Sequence, residues 1–329
     1  MAKIEMFRLR KRDTTSVIPF SLLLVTMAQL LVGFFAPRLH AEPAAYALVD
    51  ADSGFVLDAR NGNRRLAPAS LVKVAAAMVV LDWLEASGRS ASEQIAVPPA
   101  ALAHGGANPV GLQAGDRASI RDLLYAALMA SDNTAMSAVA AHVGRDLLAR
   151  GGRGNDPFDA FVFQMNQLAR TLNMRDTVFT NPHGLDHMPR KPVSTATDLA
   201  KLGRYATNKS AFRFYVSQKS RNITIGGPNG SRQVTLKNTN ELLGISDIDG
   251  VKTGSTARAG GCLMLSSGRP PESRKEGDSF FITPRRLVVV VLGARDRFGV
   301  GLGLVNRGWS LHEQWVQSGR PTSQDRLLR

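Results

Sequence analysis

Ser70 and Lys73 are the residues in this sequence best spaced for nucleophilic chemistry. On an α-helix, residues three apart stand one above the other on the same face. The residues that follow, Val74-Ala75-Ala76-Ala77-Met78-Val79-Val80-Leu81, are apolar nearly all round, the pattern of a buried helix. Burial disfavours an ammonium and lowers its pKa, which turns a lysine into a base beside a hydroxyl. Pro68 marks the helix start, and the unpartnered N–H groups of a first turn favour negative charge developing near Ser70. Alone the pattern is weak. Ser-x-x-Lys arises by chance about once per few hundred residues, and its plain meaning is a helix start with a lysine snorkelling to solvent.

Two further clusters change the weighing. Ser131-Asp132-Asn133 falls between two helical runs, where a hydroxyl and an amide can project into a cleft; by itself it is an ordinary N-cap. Lys252-Thr253-Gly254 falls on a strand, next to a glycine that lets a substrate approach the backbone; by itself it is an edge-strand lysine that deters aggregation. Ser-x-x-Lys, Ser-x-Asn and Lys-Thr-Gly, in that order on helix, loop and strand, make a strong joint signal.

The elements that must carry these groups are legible in outline. Tyr46–Val49 and Phe55–Leu57 around Asp50-Ala51-Asp52-Ser53-Gly54 predict a β-hairpin. The Pro68 helix should stop at Gly88. Helical spacing then dominates to about residue 210: 120–141 broken around Ser131, then 158–172 and 197–205. Strands are expected at 223–225, 233–236, 250–252, 259–266 and 286–293, with Gly268–Asp278 as a polar surface loop. An amphipathic helix over 304–316 should pack on the sheet. Strands, a helical excursion and strands again describe an α+β domain.

Other motifs carry less. Gly299-x-Gly301-x-Gly303 has the wrong spacing for a dinucleotide fingerprint. His183 and His187 are four apart, but Pro182, Gly184 and Pro189 argue against the helix that would aim both at one metal. The Gly151–Asn155 loop lacks the strand and the Lys-Ser/Thr of a phosphate loop and is expected as a flexible connection. Cys262 is the only cysteine, so there is no internal disulfide and no cysteine zinc site. No metal or cofactor is called for.

The net charge of +14 is scattered rather than gathered in a stripe with interleaved aromatics, which are 6% of the chain. That speaks against a nucleic-acid partner and suits a basic exported protein near an anionic envelope. Lys3, Arg8, Arg10, Lys11 and Arg12 precede an apolar run from about Val17 to Ala36, an export signal. The run approaches the ~20 residues of a membrane span. Leu39-His40-Ala41 offers a cleavage point, so cleavage and retention as an anchor both stay open. The expected division is an export segment over 1–42, a catalytic domain over 43–316 and a short polar tail over 317–329.

With the three clusters in place, the chain resembles the serine D-Ala-D-Ala carboxypeptidases, the low-molecular-weight penicillin-binding proteins, over about residues 44 to 316. The resemblance extends to Gly111–Asp116, Asn181–Asp186, Asn238–Leu243 and Asp249–Gly254. It implies a DD-peptidase/β-lactamase-like fold: a five-stranded antiparallel sheet flanked by helices, with a helical subdomain across the site. It implies that Ser70 is the nucleophile, Lys73 its base and Ser131 a proton relay to the leaving amine. Asn133 would bind the substrate backbone, and Lys252 and Thr253 of Lys252-Thr253-Gly254 the terminal carboxylate. The N–H groups of Ser70 and Ser255 would hold the oxyanion, and either Arg295 or Arg297 would add a second carboxylate contact. The implied partners are a peptidoglycan stem peptide and β-lactams as covalent inhibitors, with the membrane added if the N-terminal segment is uncleaved.

Two departures stand out: Asp132 replaces the glycine common in the family's second cluster, and the chain ends in a polar tail where many members have an all-β domain and a C-terminal anchor. The alternatives are a DD-endopeptidase, a β-lactamase and a silent peptidoglycan-binding protein. A class A β-lactamase would use a loop glutamate for deacylation, and between Val143 and Asn181 only Asp146, Asp156, Asp159 and Asp176 are acidic.

Overall fold

Val288, Val290 and Leu292 join one hydrophobic core, while Leu287, Val289 and Val291 join another. Side chains alternate across a strand, so a continuous apolar run belongs to a strand covered on both faces. That strand lies at the centre of the sheet. The computed structural model describes residues 42–103, 105–186, 189–228 and 230–328. The expected export segment, Glu42 apart, and His187 lie outside them. Among the described residues no helix is long and apolar enough to cross a membrane.

Five strands form the main sheet: β1 (Ala45–Asp50), β2 (Val56–Arg60), β7 (Ile248–Thr256), β8 (Gly260–Glu276) and β9 (Ser279–Ala294), in the antiparallel order β2-β1-β9-β8-β7. The β1–β2 turn is held by Asp50, whose Oδ1 accepts from Ser53 N at 2.7 Å and Ser53 Oγ at 2.6 Å. One face is covered by a helix over Arg297–Gln317, here α8, through Leu304, Val305, Trp309 and Trp315. A Cβ on Gly301 would stand 2.7 Å from Leu263 Cδ2. That glycine of the Gly-x-Gly-x-Gly stretch therefore lets helix and sheet close up. Beyond α8 the chain returns to β2, with Leu327 bridging Phe55 and Arg326 donating to Leu57 O at 2.8 Å.

The other face carries the helices: α1 (Val72–Ser87), α2 (Pro99–Ala103), α3 (Ile120–Met129), α4 (Asn133–Ala149), α5 (Pro157–Thr171), α6 (Ala196–Asn208) and α7 (Ser210–Val216). α1 is buried almost all round, as its composition requires, and ends at Gly88 in the left-handed conformation. Ser119, Asp132, Asp156 and Thr195 cap α3, α4, α5 and α6, each side chain accepting from the N–H three residues on.

Three features differ from the sequence expectation. β3 (Gln94–Ala96) and β4 (Arg117–Ser119) join β5 (Ser220–Gly227) and β6 (Gly230–Lys237) in a second sheet. β3 and β4 have three residues each, too few to show a period. The Gly151–Asn155 stretch starts as a helix cap rather than a free connection: Gly152 N donates to Leu147 O at 2.8 Å. And Gly268–Asp278 is not a loop. β8 and β9 stay paired from Gly268↔Arg286 to Glu276↔Ser279 and turn at Gly277. Polar composition hid the strand because this ribbon buries no apolar face of its own, and Pro270 and Pro271 fall where the register slips between Arg269 and Glu272.

Candidate active site

Ser70 sits in a 3-10 turn, Ala69–Leu71, that leads directly into α1. Ala69 is held at φ +48°, a conformation that non-glycine residues seldom adopt. One turn on, Lys73 is fully buried, and its Nζ donates to Ser70 Oγ at 3.1 Å, Asn133 Oδ1 at 2.6 Å and His183 O at 3.0 Å. Those three acceptors take the three hydrogens an ammonium carries, and none is a carboxylate. Burial draws the Lys73 pKa down from 10.5 to about 7, against the upward pull of the Asp132 carboxylate. An amine near neutrality and in contact with a hydroxyl is a competent general base.

The turn between α3 and α4 supplies Ser131-Asp132-Asn133. Ser131 is half-buried at φ +62°. Asp132 is buried, accepting from Ala135 N at 2.8 Å and Val110 N at 3.1 Å, so it both caps α4 and fastens the loop before Gly111. Burial raises its pKa even though those N–H groups and Lys73 favour the charged form. Asn133 N donates to Ala107 O at 2.8 Å, and a Cβ on Gly106 would stand 2.2 Å from Asn133 Nδ2. Asn133 is therefore a neighbour of the base, a contact that the sequence did not suggest.

β7 supplies the third cluster. Lys252 is 1% exposed, donates to Thr253 O at 2.9 Å, and has its pKa pushed well below the usual lysine range by burial and by the positive charges of Lys73 and Arg297. Thr253 Oγ1 lies 2.6 Å from Thr239 Oγ1, and Thr239 N donates to Met129 O at 3.0 Å, which ties the strand to the end of α3. Gly254 faces the nucleophile: a Cβ there would stand 2.9 Å from Ser70 N. Ser255 beside it is exposed. Arg297, at the start of α8, donates to Gly254 O at 3.0 Å; Arg297, not Arg295, reaches this strand.

The Asn181–Asp186 stretch closes the site from below. Asn181 Oδ1 accepts from Gly184 N at 2.6 Å, and Asp186 Oδ2 accepts from Thr256 Oγ1 at 2.6 Å. A Cβ on Gly184, at φ +89°, would lie 1.9 Å from Ala69 O, so only glycine lets this loop seat against the nucleophile's turn. Sequence reasoning placed no role on His183 O or Thr239. The one signal for them was that both lie in stretches carrying the family resemblance.

A family model described as D-alanyl-D-alanine carboxypeptidase, the S11 peptidases, matches residues 34–274. The chain belongs to this family.

D-alanyl-D-alanine carboxypeptidase DacC of Escherichia coli (strain K12) is 32% identical over 289 residues, which are 84% of this chain and 63% of that protein. The chain thus spans less than two thirds of that relative's length. Among solved structures, the Streptomyces K15 DD-transpeptidase is 25% identical at a TM-score of 0.67, covering 82% of this chain and 97% of that one. Penicillin binding protein 6B from Escherichia coli is 30% identical at a TM-score of 0.61, covering 85% of this chain and 78% of that one. The α+β architecture with a five-stranded antiparallel sheet is thus that of DD-peptidases.

For an S11 peptidase, the space over Gly254 has a measurable consequence. Gly254→Ala places a methyl at 2.9 Å from Ser70 N, which forces strand and turn apart. Acylation by penicillin should fall by about 10²-fold or more, the range seen when one oxyanion donor is lost. Near-normal labelling kinetics in that variant would remove the Ser70 N–H from the oxyanion role.

Proposed function

We propose that this chain is an exported serine D-Ala-D-Ala carboxypeptidase that removes the terminal D-Ala of peptidoglycan stem pentapeptides. The observation that carries the proposal is the buried Lys73 amine, 3.1 Å from Ser70 Oγ and drawn to a pKa of about 7. Ser70 Oγ attacks the carbonyl carbon of the penultimate D-Ala while Lys73 takes the hydroxyl proton. The resulting oxyanion rests on the N–H groups of Ser70 and Ser255. Lys252, Thr253 and Arg297 face the substrate's terminal carboxylate and fix its register. The C–N bond then breaks, Ser131 gives its proton to the departing amine and takes the one held by Lys73, and the acyl group stays on Ser70 as an ester with Lys73 neutral again. Water opens the ester with Lys73 again as base. Asn133 orients Lys73 through its Oδ1 and presents its amide to the substrate backbone. Residues 43–316 are the catalytic domain, and the basic-then-apolar segment over 1–42 directs export, either cleaved or retained as an anchor. β-Lactams, as mimics of the peptide, acylate the same serine.

Intact-mass analysis of a stem pentapeptide and a crosslinked muropeptide, each incubated with the enzyme, tests this reading. Loss of one D-Ala from the pentapeptide is the expected result. Cutting of the crosslink alone would make the protein an endopeptidase, and two unchanged substrates would make it a binding protein.

A further inference from the structure

The outer halves of β8 and β9 leave the body of the molecule as a two-stranded ribbon. β7 pairs with β8 only as far as Ser267, and β1 with β9 only as far as Leu287. From Gly268↔Arg286 to the turn at Gly277 the two strands pair with no third strand, a length of roughly 30 Å, although the base still touches the body, Arg269 pairing with Glu313 at 2.7 Å and Glu272 with Arg320 at 2.8 Å. Near its free end stand Phe280, 70% exposed, Phe281, 48%, and Ile282, 68%: three consecutive large apolar residues in open solvent. Consecutive strand residues point to opposite faces, so the end is apolar on both sides. Across the strands, Lys275 Nζ stands 5.6 Å from the Phe280 ring and Arg274 Cζ 5.9 Å from the Phe281 ring. An exposed patch of this kind marks an interaction surface.

We infer that this ribbon tip docks on a membrane surface rich in anionic headgroups, its phenylalanines and Ile282 entering the interface and its cations staying among the phosphates. The inference is independent of the catalytic proposal. Apolar side chains on both faces of a free end suit a medium that surrounds them, whereas a protein groove receives one face. Strand addition by a second copy is opposed by Pro270, Pro271 and Pro284, which remove N–H donors from the ribbon. The lysine and arginine paired with the rings have the long stems that let a charge snorkel to headgroup level while the ring lies deeper. Residues 268–286 carry five Lys/Arg against three acids, in a chain of net charge +14, which complements an anionic surface.

The test reads the tip itself, so binding through the N-terminal segment cannot imitate it. Trp83, Trp309 and Trp315 are all buried, so a tryptophan placed at 281 reports the tip against a buried background. Full-length Phe281→Trp is mixed with vesicles of phosphatidylglycerol and phosphatidylcholine bearing brominated acyl chains. Emission should shift to the blue and be quenched, while Phe214→Trp, another exposed site, should show neither change. Adding Phe280→Asp and Ile282→Asp should abolish the quenching and leave penicillin labelling of Ser70 intact, which shows that the domain still folds. Equal quenching on purely zwitterionic vesicles, or no quenching on vesicles that retain the protein, would overturn the inference. So would a blue shift that grows with protein concentration in the absence of lipid, the sign of a second copy on the tip.

Discussion

Replacing Lys73 by arginine should reduce acylation of Ser70 by about 10³-fold or more, the scale on which loss of a catalytic base is felt. The substitution keeps a positive charge within reach of Asn133 and the His183 carbonyl, but a guanidinium does not deprotonate at any working pH. The loss therefore reports the missing base rather than a missing cation. In the unsubstituted protein the same assignment fixes a pH dependence. With a pKa of about 7, Lys73 is protonated and idle below neutrality and free above it, so the acylation rate should climb with pH through about 7. The linkage to stability has a defined sign as well. Between about 7 and the ordinary 10.5 the unfolded chain holds a proton on Lys73 that the folded chain lacks, so this group's contribution to stability rises with pH across that window. Time-resolved labelling with a fluorescent penicillin measures both rates. An arginine variant that labels normally, or a flat profile from pH 5 to 9, would take the base role from Lys73.

The second large effect is the lifetime of the penicilloyl ester. It should outlast the ester made from peptide by orders of magnitude, leaving the protein inhibited and covalently labelled. In the peptide reaction the amine departs and opens a path for water; in a β-lactam the leaving group remains tethered and obstructs it. Rapid escape would need another base to activate water from another direction. The four aspartates between Val143 and Asn181 are poorly placed for that duty. Asp146 Oδ2 accepts from Trp83 Nε1 at 2.8 Å and pairs with Arg150 at 2.7 Å; Asp156 caps α5, Asp159 lies in that helix's first turn, and Asp176 is exposed. A time course of intact mass with a modest excess of penicillin decides the matter. Repeated fast turnover, with return of the unmodified mass, would identify a β-lactamase instead.

How much of this was legible in the sequence follows from the range of the interactions concerned. The helix that carries Lys73 is clear in the sequence because an apolar surface all round and a glycine at the stop are local signals, and both are met; the proline marks instead the 3-10 turn that holds Ser70 just before it. The five-stranded sheet, by contrast, came through the family resemblance, since nothing local in Tyr46–Val49 says that it pairs with β9. Gly268–Asp278 reads as a loop because strand signals presuppose a buried apolar face, and this stretch has none. Within the site, residue types gave the chemistry but not the partners. The carbonyl of His183 has no side-chain signature, and the acceptor role of Asn133 toward Lys73 arises from a fold that brings positions 60 apart to 2.6 Å. Asp132, conspicuous as a departure from the family pattern, acts locally as a cap and a loop clasp.

The crowding of Lys73, Lys252 and Arg297 carries a consequence for the order of events. In that small site both lysines are drawn toward their neutral forms, chiefly by burial, and the proposed substrate brings a counter-ion in its carboxylate. While that anion is bound, both lysines are easier to protonate. When the C–N bond of a peptide breaks, the anion leaves with the D-alanine, and burial returns Lys73 to its neutral form just as the ester must be hydrolysed. Product departure would thus rearm the base. A penicillin cannot trigger that step, because the ring it opens keeps its carboxylate attached to the ester. The antibiotic would then act as a counter-ion that never leaves, holding the enzyme in the charge state suited to binding and wrong for release.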